Sequence, residues 1–249
     1  MLKKLGILLL LSYFSLPVFS ANLAISPTSV VLSPKHNTSS LTFTNRSNKP
    51  VNLQLFLKTW HQDELGKTQL SDSRDVVVFP KMLKIEPGQE RPIRVGFRGK
   101  WPKIERSFRI FADELPTFNA EKGTTGVFFP VRLSIPLFVR DQSDVLSPEI
   151  KLDSAQTYQG QLRLGVQNQG RQHVALSKIS VKLQDQHGQT IGDLQDSGGR
   201  ILAQGLVFFD IPLAVGVCKK LHTAVFEVKI GQDIHEQQLE LNKQDCTKQ

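Results

Sequence analysis

The sequence predicts an all-β chain folded as two β-sandwiches in series. Three observations predict it. Nearly every periodic segment alternates apolar and polar side chains in twos, the period of a half-buried strand. Turn signals recur every eight to twelve residues, as they do in sandwiches. The two halves also repeat one pattern: Leu41 to Phe56 and Leu162 to Ile179 each read strand, Asn-centred turn, strand. No segment carries a helical period over a normal helix length. Both sandwiches are expected to be immunoglobulin-like.

Met1 to Ser20 reads as a secretory signal peptide. Lys3 and Lys4 precede the apolar run Gly6 to Leu11, and Val18 and Ser20 suit cleavage before Ala21. The run is too short to span a bilayer, so no membrane insertion is expected after cleavage. Residues 21–141 then form the first predicted domain and 142–249 the second.

In the first domain Ala24 to Leu32 is a strand with a proline near its start. Ser40 to Thr44 follows and turns at Asn45 to Asn48. Val51 to Trp60 puts Val51, Leu53, Leu55 and Leu57 on one face. His61 to Ser73 is polar and reads as a loop. Val76 to Phe79 and Met82 to Ile85 flank Pro80. Glu86-Pro87-Gly88-Gln89 has the Pro-then-Gly order of a type II turn. Ile93 to Phe97 and Ser107 to Ala112 are strands, and Phe118 to Thr125 is a polar loop.

The first domain is organised around Gly126 to Arg140, GVFFPVRLSIPLFVR. Val127, Phe129, Val131, Leu133 and Ile135 share one face. Pro130 and Pro136 share the other; proline cannot donate to a ladder, so both point to a sheet edge. An open apolar edge is a hazard unless it serves to bind a partner strand. The plain alternative is a buried strand closing a sandwich. After a polar linker, Asp141 to Pro148, the second domain has strands at Ile150–Leu152, Gln161–Val166, Val174–Leu183, Arg200–Leu202, Leu206–Ile211, Thr223–Ile230 and Ile234–Leu241, with a turn at His187-Gly188.

Composition narrows the function. Net charge is +8, or +6 without Lys3 and Lys4, but no basic run occurs, which argues against a nucleic-acid partner. Cys218 and Cys246 in an exported chain are expected to form a disulfide. There is no nucleophile elbow, zinc-protease motif, CxxC pair or phosphate-cradling loop. Asp113 and Glu114 are adjacent, so a strand points them to opposite faces. The six histidines, including His61 and His173, are dispersed beside turns and read as solvated. Asn37-Thr38-Ser39 and Asn45-Arg46-Ser47 fit a glycosylation acceptor, a motif common by chance. Trp60 and Trp101 read as isolated packing residues. The expectation is a protein without catalysis, metal or cofactor.

Several stretches together resemble a periplasmic pilus-assembly chaperone of the chaperone–usher pathway, the PapD-like superfamily. They are ISPTSVVLSP, the Asn45 turn, Ile85 to Gln89 with Ile93-Arg94-Val95, Glu105 to Arg109 ending in Glu114-Leu115-Pro116, and the organising strand. The resemblance implies two domains set in an L. It implies that Val127, Phe129, Val131, Leu133 and Ile135 serve a pilin lacking its last strand, and that an outer-membrane usher receives the subunit. In the best-known branch an arginine on the first strand and a lysine late in the donor strand hold the subunit's terminal carboxylate. Ser29 and Pro136 stand at those places here. The Ser-Ile-Pro-Leu-Phe-Val run is similar instead to the archaic, Csu-like and sigma-type branch, which uses a different arginine. Arg109 is the first candidate for it and Arg94 the second. A secreted adhesin or pilus subunit is the competing reading.

Overall fold

The computed structural model describes residues 23–116, 130–141 and 145–241. The predicted signal peptide, Val127, Phe129 and Cys246 lie outside the described residues. The all-β expectation holds. Strands dominate, and the one described helix, α1, is a single turn at Val215–Cys218.

The first sandwich is built from β1 (Leu23–Ser26), β2 (Val30–Leu32), β3 (Thr38–Asn45), β4 (Val51–Gln62), β5 (Thr68–Asp72), β6 (Val76–Phe79), β7 (Met82–Ile85), β8 (Glu90–Phe97), β9 (Arg106–Leu115) and β10 (Arg132–Val139). One sheet has the order β1-β3-β8-β6. The other runs β2-β10-β9-β4-β5, with β7 also on β4. Leu41, Phe43, Ile93 and Val95 from the first sheet pack against Leu53, Leu55, Phe108, Ile110, Leu137 and Val139 from the second.

The second sandwich uses β11 (Ile150–Tyr158), β12 (Gln161–Asn168), β13 (Val174–Gln184), β14 (Thr190–Asp196), β15 (Gly199–Ile201), β16 (Leu206–Pro212), β17 (Thr223–Ile230) and β18 (Asp233–Glu240). Its sheets are β11-β12-β16 and β14-β13-β17-β18, with β15 on β13. Leu162, Leu164 and Val166 face Ile179, Val181, Phe226 and Val228 in a separate core.

The repeated Asn turn has a structural cause. Asn45 is fully buried. Its Nδ2 donates to Lys49 O at 2.8 Å and Ile85 O at 2.9 Å, while its Oδ1 accepts from Ser47 N. Asn168, also fully buried, donates to Gln172 O at 2.7 Å and Leu202 O at 2.9 Å and accepts from Gly170 N. One carboxamide per domain thus ties a turn to a distant strand, satisfying backbone groups that burial would otherwise orphan. Burial also removes Asn45 as a glycosylation acceptor. The Glu86–Gln89 turn closes as expected, with Gly88 at φ 71° and Gln89 N donating to Glu86 O at 3.0 Å.

Three expectations need correction. Ala24 to Leu32 is two strands in different sheets. The chain breaks at Pro27, which has no N–H to donate, and β1 pairs with β3 while β2 pairs in parallel with β10. His61 to Ser73 is a hairpin, because β4 runs to Gln62 and pairs with β5. Every residue of β5 is exposed, so no alternation marks it. The organising strand is an edge only in part: β9 pairs with Arg132 through Val139, but β2 covers only Leu137, Phe138 and Val139. Arg132 to Pro136 keep one open side.

Candidate functional site

The site lies on the outer face of the six-stranded sheet, where β4, β9 and β10 run side by side. Register sets its rows. Phe56, Phe111 and Ser134 align across the three strands, then Lys58, Arg109 and Pro136, then Trp60, Ser107 and Phe138. Phe56 and Phe111 stack with centroids 5.1 Å apart. The Arg109 guanidinium lies 3.7 Å from the Trp60 ring centroid and donates to Ser134 Oγ at 3.4 Å. The Trp60 and Phe138 rings are 6.3 Å apart.

The second domain reaches the same face. Leu202 is buried with Trp60 and Phe138. Arg200 sets its Cζ 5.2 Å from the Phe138 ring. Gln62 fixes that segment: its Nε2 donates to Arg200 O at 3.0 Å and its Oε1 accepts from Leu202 N at 3.0 Å. The tip of the β4–β5 hairpin also meets the second domain. Gly66 has φ 73°, and a Cβ there would lie 2.9 Å from Leu206 O and Val207 Cα, so only glycine fits.

Beside this cluster, Glu105 is enclosed by the second domain. Its Oε1 accepts from His173 N at 2.9 Å and lies 2.7 Å from His173 Nδ1. Its Oε2 is 3.6 Å from Arg140 Nη1, which donates to Gln172 Oε1 at 2.6 Å. The His173 ring stacks on Phe138, with centroids 3.6 Å apart. The solvated reading of His173 is therefore wrong, and so is the isolated reading of Trp60: both belong to the contact between domains. Trp101 does pack as expected, 4.9 Å from Phe97.

Burial first, then the charge on Arg200, hold the Arg109 guanidinium below its ordinary value. Burial likewise lowers Arg200, partly offset by Glu105. Among the described residues no carboxylate lies within ion-pair distance of either guanidinium. Lys58, across from Arg109, is already paired with Asp72 at 2.6 Å.

The structure brings Arg109 together with Trp60, Ser134 and Arg200. It does not bring Arg94 there: Arg94 is exposed on β8 in the opposite sheet, facing Ser40 and Phe79 in register. Along the apolar row Val131 is 46% exposed and Leu133 is half-buried, whereas Ile135 is 3% exposed. Ile135 packs into its own domain's core with Leu137 and Val139, so its assignment to partner binding is corrected. Glu114 N donates to Val131 O at 2.9 Å, which extends the ladder past β10. Cys218 is buried, and its expected partner Cys246 lies outside the described residues. Arg200, Gln62 and His173 were missed as site residues; their roles come from contacts across 138 and 68 residues of chain, which local patterns do not carry. A groove of about 920 Å³ lined by Phe56, Val78, Phe79 and Met82 shares no lining residue with Arg109, Trp60, Phe138 and Arg200, and the paired guanidiniums, not the groove's size, mark the site.

Residues 22–143 match the family described as pili and flagellar-assembly chaperone, PapD N-terminal domain. No curated protein matches the chain by sequence. Among solved structures, a chain of the CsuC–CsuE chaperone–tip adhesion subunit pre-assembly complex from archaic chaperone–usher Csu pili of Acinetobacter baumannii is 20% identical, with a TM-score of 0.62 over 89% of this chain and 98% of that one. The YadV chaperone is 17% identical, with a TM-score of 0.61 over 89% of this chain and 100% of that one. The Salmonella enterica SafA pilin–SafB chaperone complex contains a chain 16% identical, with a TM-score of 0.57 over 91% and 99%. At these identities the likeness is one of fold.

Proposed function

We propose that this chain, whose residues 22–143 match the pili and flagellar-assembly chaperone family, is a chaperone that caps pilus subunits by lending them a strand. The carrying observation is the half-open edge of β10, where Arg132 to Pro136 pair with β9 on one side only. A subunit lacking its last strand exposes an apolar groove and unpaired edges, and would aggregate. The open edge offers it backbone partners. Val127, Phe129, Val131 and Leu133 enter the groove, each burial worth about 1.5–3 kcal/mol.

Arg109 receives the subunit's terminal carboxylate, since charge-assisted hydrogen bonds are directional and fix register. We assign the chain to the periplasm and to the archaic branch, with an outer-membrane usher as the acceptor of the loaded complex. Ser29 and Pro136, which cannot carry charge, support that branch. The partner class is supported by the neighbouring folds, whose complexes hold a pilin or a tip adhesion subunit. The mechanism asks for no cofactor, metal or catalytic step. Against a pilin stands the first core, which β10 closes with Ile135, Leu137 and Val139; a pilin domain is short of a strand.

The test is co-purification. The chain is expressed in a periplasm with and without pilin-like subunits, and a stable one-to-one complex is expected. Subunits that aggregate equally in its presence and absence overturn the reading.

A further inference from the structure

The β4–β5 hairpin outgrows its own sandwich. β9 pairs with β4 only as far as Trp60, opposite Ser107. Beyond that row the ladder partner of β4 is β5, and every residue of β5 is exposed. A two-stranded hairpin with no core behind it is marginal in water. This one is nonetheless closed firmly at its turn. Asp63 N donates to Lys67 O at 3.0 Å, and Gly66 N donates to Asp63 O at 2.9 Å. The Asp63 carboxylate accepts from Leu65 N at 3.0 Å, Lys67 N at 2.9 Å and Gln69 Nε2 at 2.8 Å.

The support of the hairpin is the second domain. Gln62 offers a donor and an acceptor, as a peptide group does, and meets Arg200 O and Leu202 N with them. Gly205 makes room, since a Cβ there would stand 2.5 Å from Gln62 Oε1. The gripped segment is itself tied to the second core: Leu202 O accepts from Asn168 Nδ2 at 2.9 Å, and Gly205 O from Asn168 N at 2.8 Å. Further out, the tip at Gly66 meets the backbone of Leu206 to Phe208, on the strand that ends its sheet. The chain crosses between the domains after Arg140, next to the end of β10. Gln62 is on β4, two strands away across β9, about 10 Å from β10 at ordinary strand spacing. A grip at that distance from the crossing has a lever arm against rotation.

We propose that the β4–β5 hairpin is a strut that holds the second domain at one angle to the first before any subunit arrives. This rests on the chaperone reading above and extends it. A guest laid along the open edge of β10 then enters a space already shaped, and less freedom is lost on binding. Gln62 and Gly66 are positioning residues in this scheme.

The test measures residual dipolar couplings on the full, free chain in a dilute aligning medium. One alignment tensor is expected to fit both domains of the wild-type protein. Gln62→Leu is similar in size and removes both hydrogen bonds; Gly66→Val puts a side chain where none fits. Each variant is expected to need two tensors and to lower subunit capture about tenfold, the weight of one or two hydrogen bonds. Gln62→Glu keeps the acceptor for Leu202 N, loses the donor to Arg200 O, and should fall between. Leu65→Ala, at an exposed position of the tip, should match wild type in both readouts. Amide shifts of Ile110 and Phe226, deep in the two cores, should not move, which separates a lost brace from a lost fold.

A single tensor for Gln62→Leu and Gly66→Val alike overturns the strut, and so does a wild-type protein that needs two. Two tensors with undiminished capture in both variants overturn its part in binding, and the chaperone reading stands. If wild-type protein captures no subunit, that reading fails, and the couplings still decide the strut.

Discussion

Arg109 and Pro136 are direct partners across the β9–β10 ladder. Pro136 stands where the resemblance to the best-known branch would put a lysine. Arg109 therefore places a charge one strand sideways at the same level of the sheet, on β9. Arg109→Ala is expected to lower subunit capture about tenfold to a hundredfold, the cost of a lost charged hydrogen bond. Its melting temperature should fall by roughly a few degrees, because only the cation–π contact with Trp60 and a long hydrogen bond to Ser134 are lost. Arg94→Ala should capture as wild type does. Pull-down with purified subunit measures both, and equal capture by the two variants removes the anchor role.

Val131 is exposed and held by its backbone to Glu114, so Val131→Asp should fold normally. Inside a subunit groove its carboxylate would be buried without a partner, which is strongly unfavourable. Complex yield should drop to background, and Phe129→Asp should do the same. Normal yield of complex from both variants refutes the apolar row.

Removing the Asn168 side chain leaves the carbonyls of Gln172 and Leu202 without their donor. Asn168→Ala should destabilise the second domain by about 2–6 kcal/mol, from about 1–3 kcal/mol for each of the two carbonyls. Asn45→Ala should do the same to the first domain. Differential scanning calorimetry on the two variants should shift different transitions.

The proposed Cys218–Cys246 bond closes 28 residues (246 less 218). Chain entropy gives it about 3–4 kcal/mol. Peptide mass spectrometry without reductant should find the cross-link, and reduction should lower the second domain's melting temperature alone. Two alkylatable thiols in periplasmic protein contradict the pairing.

Asp63 holds the β4–β5 turn. Gln69 Nε2, the Lys67 N–H and the Leu65 N–H donate to its carboxylate and lower its pKa from 3.8. A depressed acid stabilises the folded hairpin fully above pH 3.8 and loses that contribution as pH falls through the lower folded value. The hairpin should loosen below about pH 4 before the cores melt. Carboxyl carbon NMR tests this, and an Asp63 midpoint at or above 3.8 would falsify it.

The legible parts of the fold are those in which local chemistry and tertiary packing agree. Alternation in Val51 to Trp60 marks β4, the Pro87-Gly88 pair marks a turn, and the matched Asn45 and Asn168 turns announced two similar sandwiches. β5 and β14 were not legible, since β5 is exposed throughout and β14 reaches its core only with the partly buried Ile191 and Leu194, too few to impose a period. The break at Pro27 was visible, but not that the two pieces join different sheets. In the site, Arg109 was legible because it shares a face with Phe111 in an apolar strand. Arg200 and His173 were not, because their surroundings are made by the other domain.

The short parallel cover of β2 over β10 acts as a stop on a ruler. A guest strand laid along β10 from the Arg132 end finds five residues with one open side, Arg132 to Pro136, and then meets Val30 already seated opposite Leu137. The travel of the guest is thus limited by the host's backbone and not by the guest's side chains. On the proposed function, subunits of quite different sequence would halt at one mark, beside Arg109, and one chaperone would measure every subunit of a fibre to the same length while reading almost none of their letters.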